Sequence, residues 1–347
     1  MNCLVPPAFE PVLRKLSADS QRYFGEARVT IEPLEHMERP FSAILQIGVS
    51  RRPDAPRAFV KILKPAADTP ENIASMREEV RNDFEVTGRV YAGLTDRDGL
   101  SAVRPIACFP EDLAIVTEQL GGSTLAAVLR TRAAGRPRAR TIEELHRVVD
   151  RVGSWLRAFQ AIAPIDQRVS LEIWRSYLDV RLAKLDGNGP TRLTSDEQRL
   201  LQRYFDGQAR EVSDAQLGAV WIHADLCPEN VVVLSDRVAV LDFTTVKSGP
   251  IYHDIAHLYM QIDLLRAKPW FNRRIVRSLQ QRLLDAFEPG LAPSRPLFAL
   301  LLLLHVVCHL VALQNPPRGL LTRPYAGYVA RRHVRWLREV AARGLES

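Results

Sequence analysis

The sequence predicts an α+β protein of two lobes, with a small antiparallel sheet first and a mostly helical part after it. Its 347 residues are more than a single core usually holds. Strand-like segments concentrate before residue 120 and helical periodicity dominates beyond it, apart from one strand-rich insertion at 219 to 243. We therefore expect an N-terminal extension over 1 to 27, an N-lobe over 28 to 120 and a helical C-lobe over 121 to 347.

The N-lobe begins with three segments typical of strands: RVTIEPL at 28 to 34, FSAILQIGVS at 41 to 50 and RAFVKIL at 57 to 63. The last two are joined by the proline-containing segment RRPDAP at 51 to 56, which is typical of a turn. Short connections of this kind predict an antiparallel meander.

A long amphipathic helix is predicted over 69 to 94. Thr69 is a favoured N-cap residue, and Pro70 suits the first helical position. The apolar stripe at helical spacing consists of Ile73, Met76, Val80, Phe84, Tyr91 and Leu94.

Two more strands, at 104 to 109 and 112 to 120, precede Gly121 and Gly122, which mark the boundary between the lobes. The C-lobe contains helical segments, predicted after Ser123 and then at 141 to 163, 171 to 185, 194 to 209, 253 to 266, 273 to 288, 297 to 313 and 325 to 344. In the insertion, AVWIH leads into NVVVL and VAVLDF, which together predict a buried β ribbon within the C-lobe.

Composition favours a folded cytoplasmic protein. Hydrophobic residues make up 46% of the chain and charged residues 25%. The four cysteines form no CxxC pair, and no basic and apolar leader precedes the first strand. The longest apolar run, 297 to 313, contains His305 and His309, so we interpret it as a buried helix rather than as a stable membrane insertion.

The net charge of +7 is concentrated in two places. Residues 130 to 140 hold five arginines, and residues 318 to 347 hold seven arginines against two glutamates. Because no aromatic and basic RNA signature or DNA-reading motif accompanies them, nucleic acid is not an expected partner.

Four polar side chains lie in the strand-rich insertion: His223, Asp225, Asn230 and Asp242. A hairpin between Asn230 and Asp242 would bring these two residues close together. Phosphoryl transfer needs a carboxylate to accept the proton of a hydroxyl and oxygen ligands to hold Mg²⁺ on a polyphosphate. Asp225, Asn230 and Asp242 supply these groups in the order of the kinase catalytic loop and its metal-binding aspartate.

At these residues the chain resembles the aminoglycoside phosphotransferase and choline kinase group of the protein-kinase-like fold. HADLCPEN at 223 to 230 resembles the catalytic loop of that group, and LDFTTV at 241 to 246 resembles its metal-binding segment. IYHDIAHLY is similar to a third segment, in which Asp254 would support the catalytic loop. The resemblance covers about residues 28 to 330 and implies a bilobal fold, ATP as cofactor and Mg²⁺ held by Asn230 and Asp242.

The resemblance also implies further site residues. Lys61 would contact the α- and β-phosphates, while Asp225, with His223 in the same loop, would be catalytic. Helical periodicity places Asp83 and Glu79 along one flank of the long helix, so one of them is expected to hold Lys61, with Asp83 preferred. By resemblance, the segment from Glu118 to Leu120 would bind adenine through its backbone.

Three residues or segments depart from the pattern of the group. The segment that should cover the phosphates, EHMERPFSAI at 35 to 44, contains no glycine and offers Ser42 instead. Ala224 replaces the arginine of the protein kinases, and Thr244 replaces the glycine that follows Asp-Phe. Ala224, together with the absence of an APE-like segment, argues against control by an activation loop and against a protein substrate.

Several alternatives are open. His223 with Cys227, or His253 with His257, has the spacing of metal ligands, although zinc sites usually show tighter clustering. A Ser-His-Asp hydrolase is disfavoured because GxSxG is absent from the sequence. A catalytically inactive kinase-like protein that binds nucleotide or acts as a scaffold, and adenylyl transfer on the same fold, are the remaining alternatives.

The preferred function is a phosphotransferase that moves the γ-phosphate of ATP to a hydroxyl of a sugar, an amino alcohol or a related small metabolite. Because the C-terminal region is rich in arginine, a neutral or anionic acceptor is expected. The acceptor would bind between the catalytic loop and the helices that follow Asp254.

Overall fold

The structure is a computed structural model that describes residues 5 to 49, 57 to 187, 189 to 315 and 322 to 343. It divides into two compact units: unit 1 is Met1–Ser123 with Asn230–Val246, and unit 2 is Thr124–Glu229 with Lys247–Ser347. The hairpin segment at 230 to 246 groups with the N-terminal unit and not with the helical one.

Unit 1 is built on a five-stranded antiparallel sheet of strand order β1-β2-β3-β6-β5. The strands of this unit up to the boundary are β1 (Ile31–Glu38), β2 (Ser42–Val49), β3 (Arg57–Leu63), β4 (Leu100–Ala102), β5 (Pro105–Phe109) and β6 (Ala114–Glu118); β7 (Ser123–Thr124) follows at the boundary. The predicted meander is confirmed by the antiparallel pairing of β1 with β2 and of β2 with β3. The turn predicted at 51 to 56 lies outside the described residues.

The N-terminal segment is part of the core of unit 1 and not a separate extension. After a 3-10 turn (Pro7–Phe9), it forms the short helices α1 (Glu10–Ala18) and α2 (Ser20–Phe24). Their apolar residues join the cluster that contains the inner face of the sheet: Phe9, Val12 and Leu16. These three side chains are completely buried, so the segment covers apolar sheet surface that would otherwise contact water.

The long helix α3 (Pro70–Leu94) has the predicted bounds. Its start is stabilised as predicted, since Thr69 Oγ1 accepts a hydrogen bond of 3.3 Å from the amide of Asn72. The buried side differs in part from the predicted stripe, since it consists of Val80, Asp83, Val86, Thr87, Val90 and Leu94. The helix therefore buries a carboxylate within an apolar face.

A second sheet in unit 1 explains why the hairpin belongs there. The hairpin consists of β9 (Val231–Val233) and β10 (Val238–Val240), and β10 also pairs in parallel with β4. Gly122 is required beside it, because a Cβ atom at this position would lie 2.4 Å from the carbonyl oxygen of Val233. The pairing with β4 was not predicted from the sequence.

Unit 2 is helical apart from one small sheet. Its helices are α4 (Leu125–Arg132), α5 (Ala139–Gln160), α6 (Leu171–Ala183), α7 (Ser195–Arg210), α8 (His253–Asp263), α9 (Arg273–Phe287), α10 (Pro296–Ala312) and α11 (Thr322–Arg343). The strand β8 (Ala219–Ile222) pairs antiparallel with β11 (Lys247–Pro250), which was not predicted. The predicted ribbon is thus divided, since β8 does not continue into the hairpin of unit 1.

The apolar run at 297 to 313 forms α10, which is the buried central helix of unit 2, as predicted. Most of its side chains are buried, and it contacts α6, α7, α8 and α11. Among the described residues, no helix combines the length and the apolar character that crossing a bilayer requires.

Replacing Phe9 with alanine should destabilise the protein by about 3–5 kcal/mol, because it leaves a cavity where a fully buried ring packs against the sheet. Urea unfolding measures this loss. Arg14→Ala changes an exposed side chain of α1 and should alter the free energy of unfolding by no more than about 0.5 kcal/mol. Equal, small effects of the two substitutions would show that the N-terminal segment is dispensable.

Candidate active site

A hydrogen-bonded cluster in unit 1 surrounds the predicted phosphate-binding lysine. Lys61 lies on β3, and its Nζ atom is 2.9 Å from Oδ1 of Asp242, which follows β10. The side chain of Lys61 is 22% exposed and that of Asp242 is 42% exposed. This ion pair therefore remains accessible to a ligand from solvent.

Thr244 links the ion pair to the long helix. Its Oγ1 atom lies 2.8 Å from Oδ2 of Asp83, 2.8 Å from Oδ1 of Asp242 and 3.4 Å from Nζ of Lys61. A hydroxyl carries a single proton, so it donates to one carboxylate at a time while accepting from the lysine. Thr244 was treated from the sequence only as a departure from the pattern. The signal that could have identified it is its position directly after Asp-Phe.

Asp83 and Glu79, the two candidates for holding Lys61, differ in environment. Asp83 is 6% exposed, and its Oδ1 accepts a hydrogen bond of 3.3 Å from Thr87 Oγ1. Burial raises the pKa of the Asp83 carboxyl, although the Lys61 charge and the Thr244 hydroxyl oppose that shift. Glu79 is exposed. The structure thus brings Asp83 into the cluster through Thr244 and leaves Glu79 in solvent.

The predicted metal ligands flank the open end of the hairpin β9–β10. The backbone carbonyl of Asn230 accepts a hydrogen bond of 2.9 Å from the amide of Leu241, which precedes Asp242. Asp242 has a φ of +64°, an uncommon value for a residue with a side chain. The local backbone therefore places Asn230 and Asp242 at the same end of one hairpin.

The predicted catalytic loop begins in unit 2, at the end of β8, where a buried carboxylate fixes its backbone. Oδ2 of Asp254 accepts the amide of His223 at 2.6 Å, and Oδ1 accepts the amide of Ala224 at 3.0 Å. Asp254 is completely buried and His223 is buried with it, whereas Asp225 is exposed. Asp254 thus positions the backbone immediately before the candidate base.

The charge of Asp254 is balanced locally. Burial alone would raise the pKa of its carboxyl, but the hydrogen bond and charge of His253, together with contacts from His223, hold that pKa below the usual value. His253 Nδ1 lies 3.0 Å from Oδ1. The residue is therefore ionised throughout the neutral range.

Ala224 adopts a φ of +63° in this loop. The left-handed region costs a residue with a Cβ atom about 1–2 kcal/mol. The hydrogen bond from the Ala224 amide to Asp254 holds the backbone in this conformation. Glycine would adopt this conformation without strain, because it has no Cβ atom.

Three histidine rings of unit 2, those of His253, His257 and His305, pack against one another. His305 donates through Nε2 to the carbonyl of His253 at 2.9 Å, and its ring centroid lies 4.7 Å from that of His253 and 4.8 Å from that of His257. Burial lowers the pKa of His257 to about 4. Within the described parts of the chain, no three histidine, cysteine, aspartate or glutamate side chains are grouped so as to hold a metal ion.

The segment between β1 and β2, predicted to cover the phosphates, is a tight turn. The amide of Arg39 donates to the carbonyl of Ser42 at 2.9 Å, while Lys64 Nζ donates to the carbonyl of Arg39 at 2.9 Å and pairs with Glu38. Ser42 is 8% exposed, and Phe41 at the tip of the turn is 81% exposed. Part of the turn's polar backbone is thus already paired within the protein.

The predicted adenine-binding segment follows β6. The amide of Glu118 donates to the carbonyl of Arg104 at 3.0 Å, and the Glu118 carboxylate accepts the Arg104 amide at 2.8 Å. The amide of Gln119 donates to the carbonyl of Arg57 at 2.8 Å. Leu120 is half-buried. The segment is therefore anchored to the sheet up to Gln119.

Replacing Asp254 with asparagine should destabilise the protein by about 1–3 kcal/mol, because one of the two buried amides would face an NH₂ group instead of an acceptor. Urea unfolding of the variant measures the loss. Asp236→Asn removes an exposed carboxylate from the turn of the hairpin and serves as the control, with an expected effect within about 0.5 kcal/mol. If Asp254→Asn were equally mild, the carboxylate would not be anchoring the loop.

Solved structures with similar folds include proteins named as kinases or phosphotransferases of small molecules. A choline/ethanolamine kinase family protein from Mesorhizobium loti matches with a TM-score of 0.54 and 15% identity, covering 98% of this chain and 100% of that one. An aminoglycoside phosphotransferase mutant in a ternary complex with ADP and hygromycin B matches with a TM-score of 0.55 and 16% identity, covering 93% and 98%. An amicoumacin kinase in complex with AMP-PNP and Ca²⁺ matches with a TM-score of 0.53 and 13% identity, covering 96% and 93%. At these identities the matches show a shared kinase-like fold.

Comparison with curated proteins found no significant match. The family model described as "Phosphotransferase enzyme family" matches residues 49 to 297, a stretch that includes Lys61, Asp83, the catalytic loop and Asp254. Because this match spans well over half of the chain, the protein belongs to the APH phosphotransferase enzyme family.

Proposed function

We propose that the protein transfers the γ-phosphate of ATP to a hydroxyl group of a small molecule. The observation that carries this proposal is the hydrogen-bonded cluster of Lys61, Asp242, Thr244 and Asp83, whose ion pair is accessible, in a chain of a phosphotransferase family. Phosphoryl transfer by kinases uses a lysine on the third strand and an aspartate that holds Mg²⁺, and Lys61 and Asp242 are residues of these two types. Three of the four residues were expected to bind nucleotide or metal from the sequence.

The donor atoms at the hairpin fit a hard divalent cation. Asp242 offers a carboxylate that is 42% exposed, and Asn230 offers an amide oxygen at the same end of the hairpin. Mg²⁺ is typically held by one or two protein oxygens together with waters and phosphate oxygens, so two such ligands suffice. When bound, the metal would neutralise phosphate charge. The similar amicoumacin kinase was solved with Ca²⁺, which prefers the same donors.

Nucleotide binding is proposed for the remaining residues of unit 1. Lys61 would offer its ammonium group to phosphate oxygens, while Asp83 holds Thr244, and through it Lys61, in place. The segment from Glu118 to Leu120 would bind adenine through its backbone. Two of the similar kinases were solved with ADP or AMP-PNP, which supports ATP as the donor.

Asp225 is proposed as the general base. Its carboxylate would orient the acceptor hydroxyl and take its proton as the phosphoryl group is transferred. This role requires an accessible carboxylate on a fixed backbone. Both conditions hold, because Asp225 is exposed and the preceding amides are bound by Asp254.

The acceptor is proposed to be neutral or anionic. Similar kinases include proteins named for choline or ethanolamine, glucosamine and aminopropanol, all of which carry an amine. The C-terminal region of this chain is rich in arginine and would repel a strongly cationic acceptor. A sugar or a sugar phosphate therefore suits it better than a polycationic aminoglycoside, and a cytoplasmic location is proposed with it.

Replacing Asp242 with alanine, or Asp225 with asparagine, should lower kcat by at least about 100-fold, because each change removes a group that acts directly on metal or proton. ADP release, measured with ATP, Mg²⁺ and a panel of alcohols and sugars, provides the assay. Asp236→Ala is the control. Rates of both variants within about tenfold of wild type, or about 1.4 kcal/mol of barrier, would refute the assignment.

Thermal stabilisation by ATP and Mg²⁺ separates the active enzyme from an inactive kinase-like protein. Stabilisation that Asp242→Ala abolishes, together with acceptor-dependent ADP release, is expected for the enzyme. Stabilisation without turnover across the panel would favour a nucleotide-binding scaffold instead.

Replacing Thr244 with valine should lower kcat/KM for ATP by about tenfold, equivalent to about 1.4 kcal/mol, since it removes the hydroxyl between Asp83 and Asp242 while keeping a similar shape. Thr244→Ser retains the hydroxyl and should keep most of the activity. Thr245→Val, at an exposed neighbouring position, is the matched control. Equal activities of the valine and serine variants would show that the hydroxyl has no positioning role.

A further inference from the structure

Two basic segments of unit 2 that the proposed reaction does not use lie side by side. The first is the arginine-rich stretch at 130 to 140, which contains five arginines and no acidic residue. The second is KPWFNRR at 268 to 274, which contains one lysine, two arginines and no acidic residue. The two segments are distant along the chain, so only the fold brings them together.

Backbone contacts join the two segments. The amide of Gly135 donates to the carbonyl of Trp270 at 2.7 Å, and Ala134 forms an antiparallel bridge with Phe271. Gly135 has a φ of +71°, which glycine adopts without strain, so the arginine-rich stretch can turn at this point. The tryptophan is therefore held against the turn of the arginine-rich stretch.

The helices that follow the two segments begin at the same end of unit 2. His146 Nε2 of α5 lies 3.0 Å from Ser278 Oγ of α9. Four residues further along both helices, Arg282 Nε donates to Asp150 Oδ1 at 2.9 Å. These contacts show that α5 and α9 pack in parallel, so their N-terminal ends and the two basic segments form one surface, here called the basic surface.

The arginines of the basic surface have few acidic partners. Arg136 and Arg138 are exposed and form no ion pair with any residue that the structure describes. Arg132 and Arg140 share one carboxylate, that of Glu144, at 3.7 and 3.2 Å. Arg138 is the N-cap residue of α5 and Arg140 lies in its first turn, where the helix dipole disfavours positive charge. A negatively charged partner would offset this repulsion.

An exposed indole lies among these basic side chains. Trp270 is 56% exposed, whereas its neighbour Phe271 is buried and anchors the segment. Lys268 Nζ lies 5.8 Å from the ring centroid of Tyr325, which is 37% exposed. Tryptophan and tyrosine combine an apolar body with a polar N–H or O–H group, and they are enriched where lipid meets water.

This combination fits an anionic lipid surface better than it fits nucleic acid. Anionic headgroups form a negatively charged layer directly above an apolar one, so arginines and an indole can both be satisfied there. Proteins that bind single-stranded nucleic acid usually stack successive bases on several aromatic side chains along a basic groove. Here a single large indole is presented at a turn.

The basic surface lies far from the catalytic loop. At the C-terminal end of α5, Gln160 Nε2 donates to the carbonyl of Ile251 at 2.8 Å, close to Asp254 in the chain. The basic surface is at the other end of the same helix. Because α5 has 22 residues, its two ends are about 33 Å apart.

We propose that the basic surface binds an anionic lipid bilayer peripherally, with the arginines contacting headgroup oxygens and Trp270 entering the interface between headgroups and acyl chains. Neither Trp270 nor any residue of 130 to 140 lines the cavities beside α11. The proposal does not depend on phosphotransfer, so it stands or falls separately from the proposed function.

Co-sedimentation of the full chain with lipid vesicles tests the proposal. Vesicles of phosphatidylcholine mixed with phosphatidylserine should bind the protein, vesicles of phosphatidylcholine alone should bind it far less, and NaCl should weaken the binding. Combining Arg136→Ser, Arg138→Ser and Arg140→Ser should weaken binding at least about tenfold, because each basic residue at an anionic membrane contributes about fivefold.

The matched control removes the same charge elsewhere. Arg14→Ser, Arg203→Ser and Arg210→Ser change exposed arginines outside the basic surface, so this combination should weaken binding much less. Thermal unfolding of both triple variants should match that of the wild type, since every substituted side chain is exposed.

Tryptophan fluorescence locates the contact. Emission should shift to shorter wavelength when phosphatidylserine vesicles are added, and Trp270→Phe should remove most of that shift while keeping most of the binding. Trp270→Ser should weaken the binding itself, because it removes the apolar ring. Asp225→Asn should leave vesicle binding unaltered, since the catalytic loop is anchored near the opposite end of α5.

Several results would overturn the proposal. One is equal binding to vesicles with and without phosphatidylserine, or no binding to either. Another is equal weakening by the two arginine triples, which would indicate only non-specific charge attraction. Unaltered binding of Trp270→Ser would exclude the indole, and loss of binding in Asp225→Asn would place the lipid at the catalytic loop. Tighter binding of single-stranded poly(U) RNA, weakened by the same substitutions, would identify a nucleic-acid surface instead.

Discussion

A completely buried carboxylate, that of Asp254, is the constraint on which the geometry of the helical unit depends. Desolvating an ionised group is costly unless the protein replaces the lost water contacts. The amides of His223 and Ala224 and the ring of His253 provide that replacement. The same bonds hold Ala224 in a left-handed conformation and so determine where the backbone of Asp225 begins. Because the buried Asp254 needs these partners, it fixes the loop backbone that carries the exposed side chain of Asp225.

In unit 1, too, acidic side chains are stabilised by nearby hydrogen-bonding and charged groups. Two carboxylates, Asp83 and Asp242, share one hydroxyl and the charge of one lysine. Because Asp83 is buried and Asp242 is not, their environments separate the two otherwise similar acids. Asp83 is suited to holding Thr244 in place, whereas the side chain of Asp242 is 42% exposed, as its proposed role in holding a cation requires. Thr244 is therefore more than a substitute for glycine, since its hydroxyl connects the long helix to the end of the hairpin.

Charged side chains are grouped differently in the two units. In unit 1, carboxylate and amide oxygens at the hairpin are proposed to hold a cation, and Lys61 is proposed to bind phosphate. In unit 2, Asp263 pairs with Arg266 and with Arg332 beside a cavity of about 880 Å³. The apolar helix α10 contributes Ala299, Leu302 and Val306 to the lining of that cavity. The apolar run at 297 to 313 thus packs inside the helical unit.

Local sequence patterns determined the elements whose contacts are near in the chain: the β1–β2–β3 meander, α3 with its Thr69 cap, the β9–β10 hairpin and the succession of helices after Ser123. The same patterns placed Asn230 and Asp242 at one end of a hairpin. Only tertiary structure decided the pairing of β10 with β4, the pairing of β8 with β11, the docking of α1 on the sheet and the choice of Asp83 over Glu79 for burial. These depend on partners distant in sequence, and a short strand or a single helix flank carries no periodicity that specifies a distant partner. The role of Thr244 belongs with them, because a hydroxyl acquires it only where two carboxylates and a lysine from separate elements meet.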